Sequence, residues 1–231
     1  MKTFPFFGKI EGKTFLIVGG GRVAAEKVTR LLPFADRLHV VGLWISDEIR
    51  QLAGNEGVSE SDKKASAREA AEEKGKADGP QIRIEERAFE ERDLDDADYC
   101  IAATDDYEVN RKIHDLCMER KIPVNVVDTM ELCEFIFPSL ITRGDLTIAV
   151  STNGKSPAMA RYLKKQIESV LPEETEAMLN RLGNLRSVLP KYISAQKQRG
   201  AAYKEIMELL LATDNKATDA EIETIIRKYS L

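Results

Sequence analysis

"FLIVGGGRVAAEKVTRLL", residues 15–32, sets four apolar residues ahead of three consecutive glycines and then a stretch with helical spacing. A buried strand turning sharply into a helix has this pattern. Gly19, Gly21 and Ala24 fit GxGxxG/A: the first glycine makes the turn, the second lets backbone approach a pyrophosphate, and the small third residue lets the helix pack closely on the strand. The amides that open the helix, at Arg22 and Val23, then face the anion. A tight turn without a ligand would show the same glycines. The strand before them and the helix after them favour the dinucleotide reading.

Outward from this turn, "TFLIV", "RLHVVG", "QIRIEE", "YCIAAT" and "PVNVVD" alternate with helical periods through the first 130 residues. That alternation predicts a parallel sheet with crossover helices. After "YCIAAT", Val109, Ile113, Leu116 and Cys117 share a helix face, and Asp105 with Glu108 fits a capping box. The pattern breaks from Glu56 to Pro80, where 12 of 25 residues are charged and Val58 is the one apolar residue larger than alanine. Such a segment buries too little surface to offset its ordering entropy, so it is expected to be an exposed insertion, a solvated spacer rather than a functional arm. Beyond Asp128, "EFIFPSLITRGDLTIAVST" predicts a hairpin turning at Arg143-Gly144-Asp145. Four helical stripes follow, on Met159, Leu163, Ile167 and Val170; Met178, Leu182, Leu185 and Leu189; Tyr203, Ile206, Met207 and Leu210; and Ile222, Ile225, Ile226 and Tyr229. All four are expected to be core faces. Ser156-Pro157, and Thr218 with Glu221, mark helix starts.

Length and charge narrow the classes of function. The 231 residues suffice for one large domain or two small ones with a self-sufficient core. Lys and Arg total 34 against 39 Asp and Glu, a net charge of −5, which gives no electrostatic case for nucleic acid as the main partner. Cys100, Cys117 and Cys133 form no CxxC pair, arguing against a structural zinc site or a secreted disulfide scaffold and for a reducing cytoplasm. No signal-peptide run opens the sequence, and no apolar stretch reaches the roughly 18 residues of a membrane span. His39 and His114 form no ligand cluster, and no metal site is expected.

The acidic residue that would bind ribose hydroxyls, about 20 positions beyond the glycines, is missing. Gly42, Leu43 and Trp44 stand in its place; Asp47 falls too late and fits a helix cap. With no arginine placed for a 2′-phosphate, NAD is favoured over NADP. Backbone groups at Leu43 and Trp44 are expected to hold the ribose, with the indole beside the adenine.

Four ordered blocks, "FLIVGGGRVAAEK", "AATDDYEVN", "PVNVVDTMELCEFIFPSLI" and "LTIAVSTNGKSPAMARYLKKQIE", resemble the precorrin-2 dehydrogenases of sirohaem synthesis, including the amino-terminal part of multifunctional sirohaem synthases. The resemblance runs over residues 1–172 apart from the charged stretch. It implies an NAD-binding Rossmann domain over residues 1–133, with the insertion at about 55–80. A β-hairpin dimerisation region over 134–159 would follow; the helical stripes beyond it, similar to the family only in character, predict a helical domain over 160–231. The implied reaction is NAD-dependent oxidation of precorrin-2 to sirohydrochlorin by a homodimer. Some members of the family also insert Fe²⁺. No methyltransferase domain fits in the residues that remain, so precorrin-2 is expected from a separate protein.

Asp128 is the first candidate for chemistry. It ends the strand "PVNVV", and ligands of doubly wound sheets sit outside the carboxyl ends of the strands. Asp128 with Glu131 also fits a capping box; the resemblance assigns it the family's acid/base role. Thr104, at the end of the fourth strand, is expected to touch the cofactor, although a helix cap would explain it equally well. Asn125 either meets the substrate or satisfies buried backbone. In "STNGKSPAMAR", Lys155 and Arg161 are candidates for substrate carboxylates, and Thr152 keeps a hydroxyl where some relatives have a serine linked to regulation. Two other classes compete: a dehydrogenase that is also a sirohydrochlorin ferrochelatase, and a nucleotide-sensing module without catalysis.

Overall fold

The computed structural model describes residues 3–54 and 80–230, so the expected charged insertion, Pro80 excepted, lies outside the described residues. The chain divides into two compact units, Met1–Ile136 and Phe137–Leu231, which places the hairpin and the later helices together in the second.

The first unit is built on five parallel strands: β1 (Thr14–Val18), β2 (Arg37–Gly42), β3 (Gln81–Glu86), β4 (Tyr99–Ala102) and β5 (Val124–Val126), in the order β3-β2-β1-β4-β5. Each of the five β-branched runs read from the sequence becomes one of them. The order reverses between β1 and β4, which opens a crevice at the carboxyl ends there. Phe15 to Val18 are all buried, as expected for a parallel strand covered on both faces. α1 (Arg22–Leu31) buries Ala24, Ala25, Val28 and Leu31. On the other face, Leu16, Val18, Cys100, Ala102, Val124 and Val126 pack with Ile113 and Cys117 of α3 (Tyr107–Arg120).

The β3–β4 connection is a single 3-10 turn, Glu91–Leu94, rather than a full crossover helix. A cavity of about 690 Å³ lies against β2 and β3, lined by His39, Glu85, Arg87 and Asp93 among others.

Two caps differ from expectation by one residue. Asp106, not Asp105, caps α3, accepting from the amides of Glu108 and Val109 at 2.9 and 3.2 Å. Ser46, not Asp47, caps α2 (Asp47–Leu52), with Asp47 as its first residue. In each case the cap is a good capping type in extended backbone one residue from the expected position, Asp106 after Asp105 and Ser46 before Asp47.

The second unit opens with the antiparallel pair β6 (Ser139–Arg143) and β7 (Leu146–Val150), closed by Gly144-Asp145. α4 (Pro157–Val170) lies on both strands, and α5 (Thr175–Val188) contacts β7. α6 (Gln196–Ala212) and α7 (Asp219–Tyr229) complete a helical core around Leu182, Leu189, Ile206, Leu210 and Ile222. Ser156 and Thr218 cap α4 and α7, the latter in a full capping box with Glu221. The α4 stripe departs from the reading. Met159, Leu163 and Val170 are exposed, and Ala160 is the buried residue of that helix.

Candidate active site at the carboxyl edge of the sheet

The three glycines of the opening turn have different reasons to be glycine. Gly19 has φ +121°, and a Cβ there would stand 2.3 Å from the carbonyl oxygen of Ala103. At Gly20 a Cβ would fall 1.8 Å from the carbonyl oxygen of Trp44. Both are demanded by the protein's own packing. Nothing lies within 4 Å of a Cβ at Gly21, so the open space over that residue is available to a ligand. Gly21 is also the N-cap of α1; no side chain caps the helix and no acidic residue sits in its first turn. The first amides of α1, at Arg22 and Val23, are thus left for an anion, and the turn fits a pyrophosphate. The turn is tied to the end of β2: the Gly19 amide donates to the Val41 carbonyl at 2.8 Å, and the Ser46 amide to the Gly20 carbonyl at 2.8 Å. Beyond Gly42, Leu43 and Trp44 are 81% and 61% exposed, where the sequence placed the adenosine contacts.

Two strands over, Asp128 follows the end of β5, exposed and in left-handed backbone conformation at φ +59°. It does not cap a helix. The following 3-10 turn, Met130–Leu132, starts from Thr129 with no side-chain cap, so the Asp128–Glu131 box does not form. The loop carrying Asp128 is braced from beneath by two side chains. The Cys133 thiol donates toward the carbonyls of Val126 (3.1 Å) and Thr129 (3.4 Å), one on each side of Asp128. Burial pushes that thiol's pKa up, keeping it a donor. Asn125, buried, spends its amide on the Phe135 carbonyl at 2.8 Å and the Cys133 sulfur at 3.4 Å. Of the two uses read for Asn125, this is the satisfaction of buried groups. Lys27 of α1, half-buried, also reaches this region: burial and Arg30 lower its pKa, with Glu26, Cys133 and the Asp128 carboxylate opposing.

Thr104 is committed locally. Its hydroxyl donates to Asn110 Oδ1 at 2.7 Å, and Asn110 Nδ2 returns a bond to the Thr104 carbonyl at 2.9 Å. Sequence reasoning missed Asn110, Cys133 and Lys27. A polar residue on the buried side of α3 was the one available signal for Asn110; nothing in the spacing marks Cys133.

Thr152, Lys155 and Arg161 lie in the second unit. Thr152 Oγ1 accepts from the Ser156 amide at 3.1 Å just ahead of α4, and Lys155 and Arg161 are exposed. His39 pairs with Glu85 and His114 with Asp115, in separate places. Among the described residues no group of three or more His, Cys, Asp or Glu is placed to hold a metal ion, and no helix is long and apolar enough to cross a membrane.

A glycine turn on an uncapped helix, at the switch point of a 3-2-1-4-5 parallel sheet, defines a dinucleotide-binding fold of the Rossmann type. The chain belongs to the family described as putative NAD(P)-binding, whose model matches residues 6–139, more than half of its length. Residues 143–169 match a second model, the central part of sirohaem biosynthesis proteins. The siroheme synthase of Thioalkalivibrio sulfidiphilus is 41% identical over 172 residues, covering 74% of this chain and 30% of that protein. That of Salmonella paratyphi B is 32% identical over 231 residues, covering 97% of this chain and 45% of that one. The chain therefore spans less than half the length of these relatives. Among solved structures, SirC, a precorrin-2 dehydrogenase, aligns over 98% of this chain and 100% of its own, with TM-score 0.68 and 21% identity, which shows a shared fold.

Proposed function

We propose that this chain oxidises precorrin-2 to sirohydrochlorin with NAD⁺ in sirohaem biosynthesis. The observation that carries the reading is the pairing of an open, uncapped glycine turn at Gly21 with an exposed carboxylate, Asp128, that the fold does not use as a cap. The siroheme synthase relatives and the precorrin-2 dehydrogenase fold supply the substrate.

In the reaction a hydride and a proton leave the partly reduced tetrapyrrole. NAD⁺, when bound, supplies the hydride acceptor. Gly19 shapes the turn, Gly21 and the amides of Arg22 and Val23 hold its pyrophosphate, Leu43 and Trp44 its adenosine, and Thr104 borders the nicotinamide path. Asp128 takes the departing proton on its carboxylate. Cys133 and Asn125 keep that loop in the conformation that presents it. In the second unit, Lys155 and Arg161 answer carboxylates of the substrate, with Thr152 as a further contact to it. The chain acts as a homodimer, a reading supported by the exposed Met159, Leu163 and Val170 of α4. Three free, buried cysteines suit a reducing cytoplasm.

The test is to incubate the protein with precorrin-2 and NAD⁺, follow sirohydrochlorin and NADH spectroscopically, and then add Fe²⁺. Product before metal supports the dehydrogenase. Metal insertion alone would favour a chelatase, for which Asp128 is also available as a base. Dinucleotide binding without turnover would leave only the sensing module.

A further inference from the structure

The carboxylate that dinucleotide folds place at the end of the second strand is absent here, since Gly42 ends β2 and is followed by the exposed Leu43 and Trp44. The neighbouring strand offers one. Glu86 is the last residue of β3 and stands in register with Gly42, so it lies at the same carboxyl edge, one strand spacing of about 4.8 Å away. It is fixed in place: Arg50 of α2 donates to Glu86 Oε2 at 2.6 Å, each side chain about two-fifths exposed. Arg50 itself hangs from the phosphate turn. The Arg50 amide bonds the Ser46 carbonyl at 3.2 Å, and the Ser46 amide bonds the Gly20 carbonyl at 2.8 Å. A continuous chain of hydrogen bonds thus runs from the glycine turn to this carboxylate.

We propose that Glu86, held by Arg50, takes the place of the missing β2 carboxylate, accepting from the adenosine ribose hydroxyls and setting the choice of NAD⁺ over NADP⁺. The inference rests on the dinucleotide reading of the glycine turn. A carboxylate accepts from both ribose hydroxyls, whereas a 2′-phosphate removes one donor and brings like charge against it. The guanidinium of Arg50 is already engaged by Glu86, so it offers a phosphate little net positive charge.

Binding is measured on the full chain by quenching of Trp44, the single tryptophan, and by calorimetry, with NAD⁺, NADP⁺ and ADP-ribose as probes. The unaltered protein is expected to prefer NAD⁺ over NADP⁺ by at least about tenfold, and Glu86→Gln to weaken NAD⁺ about tenfold while erasing that preference. Arg50→Gln, which releases the carboxylate from its anchor but leaves its charge, is expected to weaken NAD⁺ less than Glu86→Gln does and to retain the preference over NADP⁺. Glu86→Asp, a second variant that keeps the charge, is expected to retain the preference. Circular dichroism confirms that each variant is folded. An unchanged NAD⁺-to-NADP⁺ ratio in Glu86→Gln, with NAD⁺ still bound, overturns the role of Glu86 and leaves the dinucleotide site standing. Failure of the unaltered protein to bind any of the three probes overturns both.

Discussion

Two acids of the first unit, Asp93 and Asp128, lie on connections leaving the sheet and have opposite surroundings. Asp93 follows β3, its side chain 3% exposed, and takes two hydrogen bonds from Arg87, at 2.6 and 2.8 Å, and one from the Glu90 amide at 2.9 Å. Burial pushes its carboxyl up, but Arg87 and the Glu90 amide outweigh burial and hold it below the ordinary carboxylate range. Every acceptor site that matters is used, and the group closes a turn where a crossover helix is missing. Asp128 follows β5, is exposed, and has the protein's hydrogen bonds arranged around its backbone rather than on its carboxylate. The difference separates an acid that the fold consumes from one that the fold presents. Charge and sequence position alone do not distinguish the two.

Removing the Asp128 carboxylate has the largest expected effect. Asp128→Ala is expected to lower turnover of precorrin-2 by about 10²–10⁴-fold with NAD⁺ affinity unchanged and stability lowered by no more than about 1 kcal/mol, the cost of alanine in left-handed backbone, as read by steady-state kinetics, calorimetry and a melting curve. Near-normal turnover in that variant would remove the proton-accepting role.

The glycine turn carries the same contrast between what the fold uses and what it leaves open. Gly20→Ala is expected to cost about 3 kcal/mol in denaturant unfolding, because its Cβ collides with the Trp44 carbonyl. Gly21→Ala is expected to stay within about 0.5 kcal/mol of the parent yet bind NAD⁺ more weakly, since its methyl group enters the space assigned to pyrophosphate. Equal stability losses in the two variants would undo the distinction.

Asp93→Asn should reverse the Asp128 pattern, with stability lowered by about 2–3 kcal/mol and NAD⁺ affinity unchanged. Its pH dependence has a definite sign. Both Asp93 and Glu85 have depressed folded pKa values, so they stabilise the fold above the unfolded carboxyl range near pH 4, and this contribution is lost as pH falls through the folded values. The variant should therefore show a shallower acid limb in urea titrations below about pH 4. An acid limb as steep as the parent's would show that the Asp93 carboxylate adds nothing to stability.

The smallest effect sharpens the account of how Asp128 is presented. Cys133→Ala is expected to reduce kcat about three- to tenfold with KM and NAD⁺ affinity little changed, and Cys133→Ser to recover most of the loss by restoring a donor to the flanking carbonyls. If serine and alanine behave alike, Cys133 contributes packing rather than hydrogen bonds.

Much of this molecule was legible along the chain. The five strands, the glycine turn, the hairpin and the starts of α4 and α7 follow from apolar period, turn chemistry and caps, which are properties of a few consecutive residues. The misplaced caps at Asp105 and Asp47 mark the limit of that method, because two adjacent polar residues compete and the entry angle of the backbone decides between them. The α4 stripe failed differently. Its period is helical, as read, but a period says that a face is apolar and not what covers it; in the folded chain Met159, Leu163 and Val170 are left exposed.

The sequence by itself determined the strand-turn-helix at Gly19–Gly21, the missing acid after β2 and the presence of an aspartate at the end of β5. Tertiary structure alone decided that Gly19 and Gly20 serve packing while Gly21 faces open space. It alone decided that Asp128 caps nothing, that Cys133 and Asn125 brace its loop, and that Glu86 stands in register beside Gly42. The physical reason is the range of the interactions involved. Turns and caps are settled within a few residues, whereas strand register and the free space around a side chain depend on segments far apart in the chain that meet only when it folds.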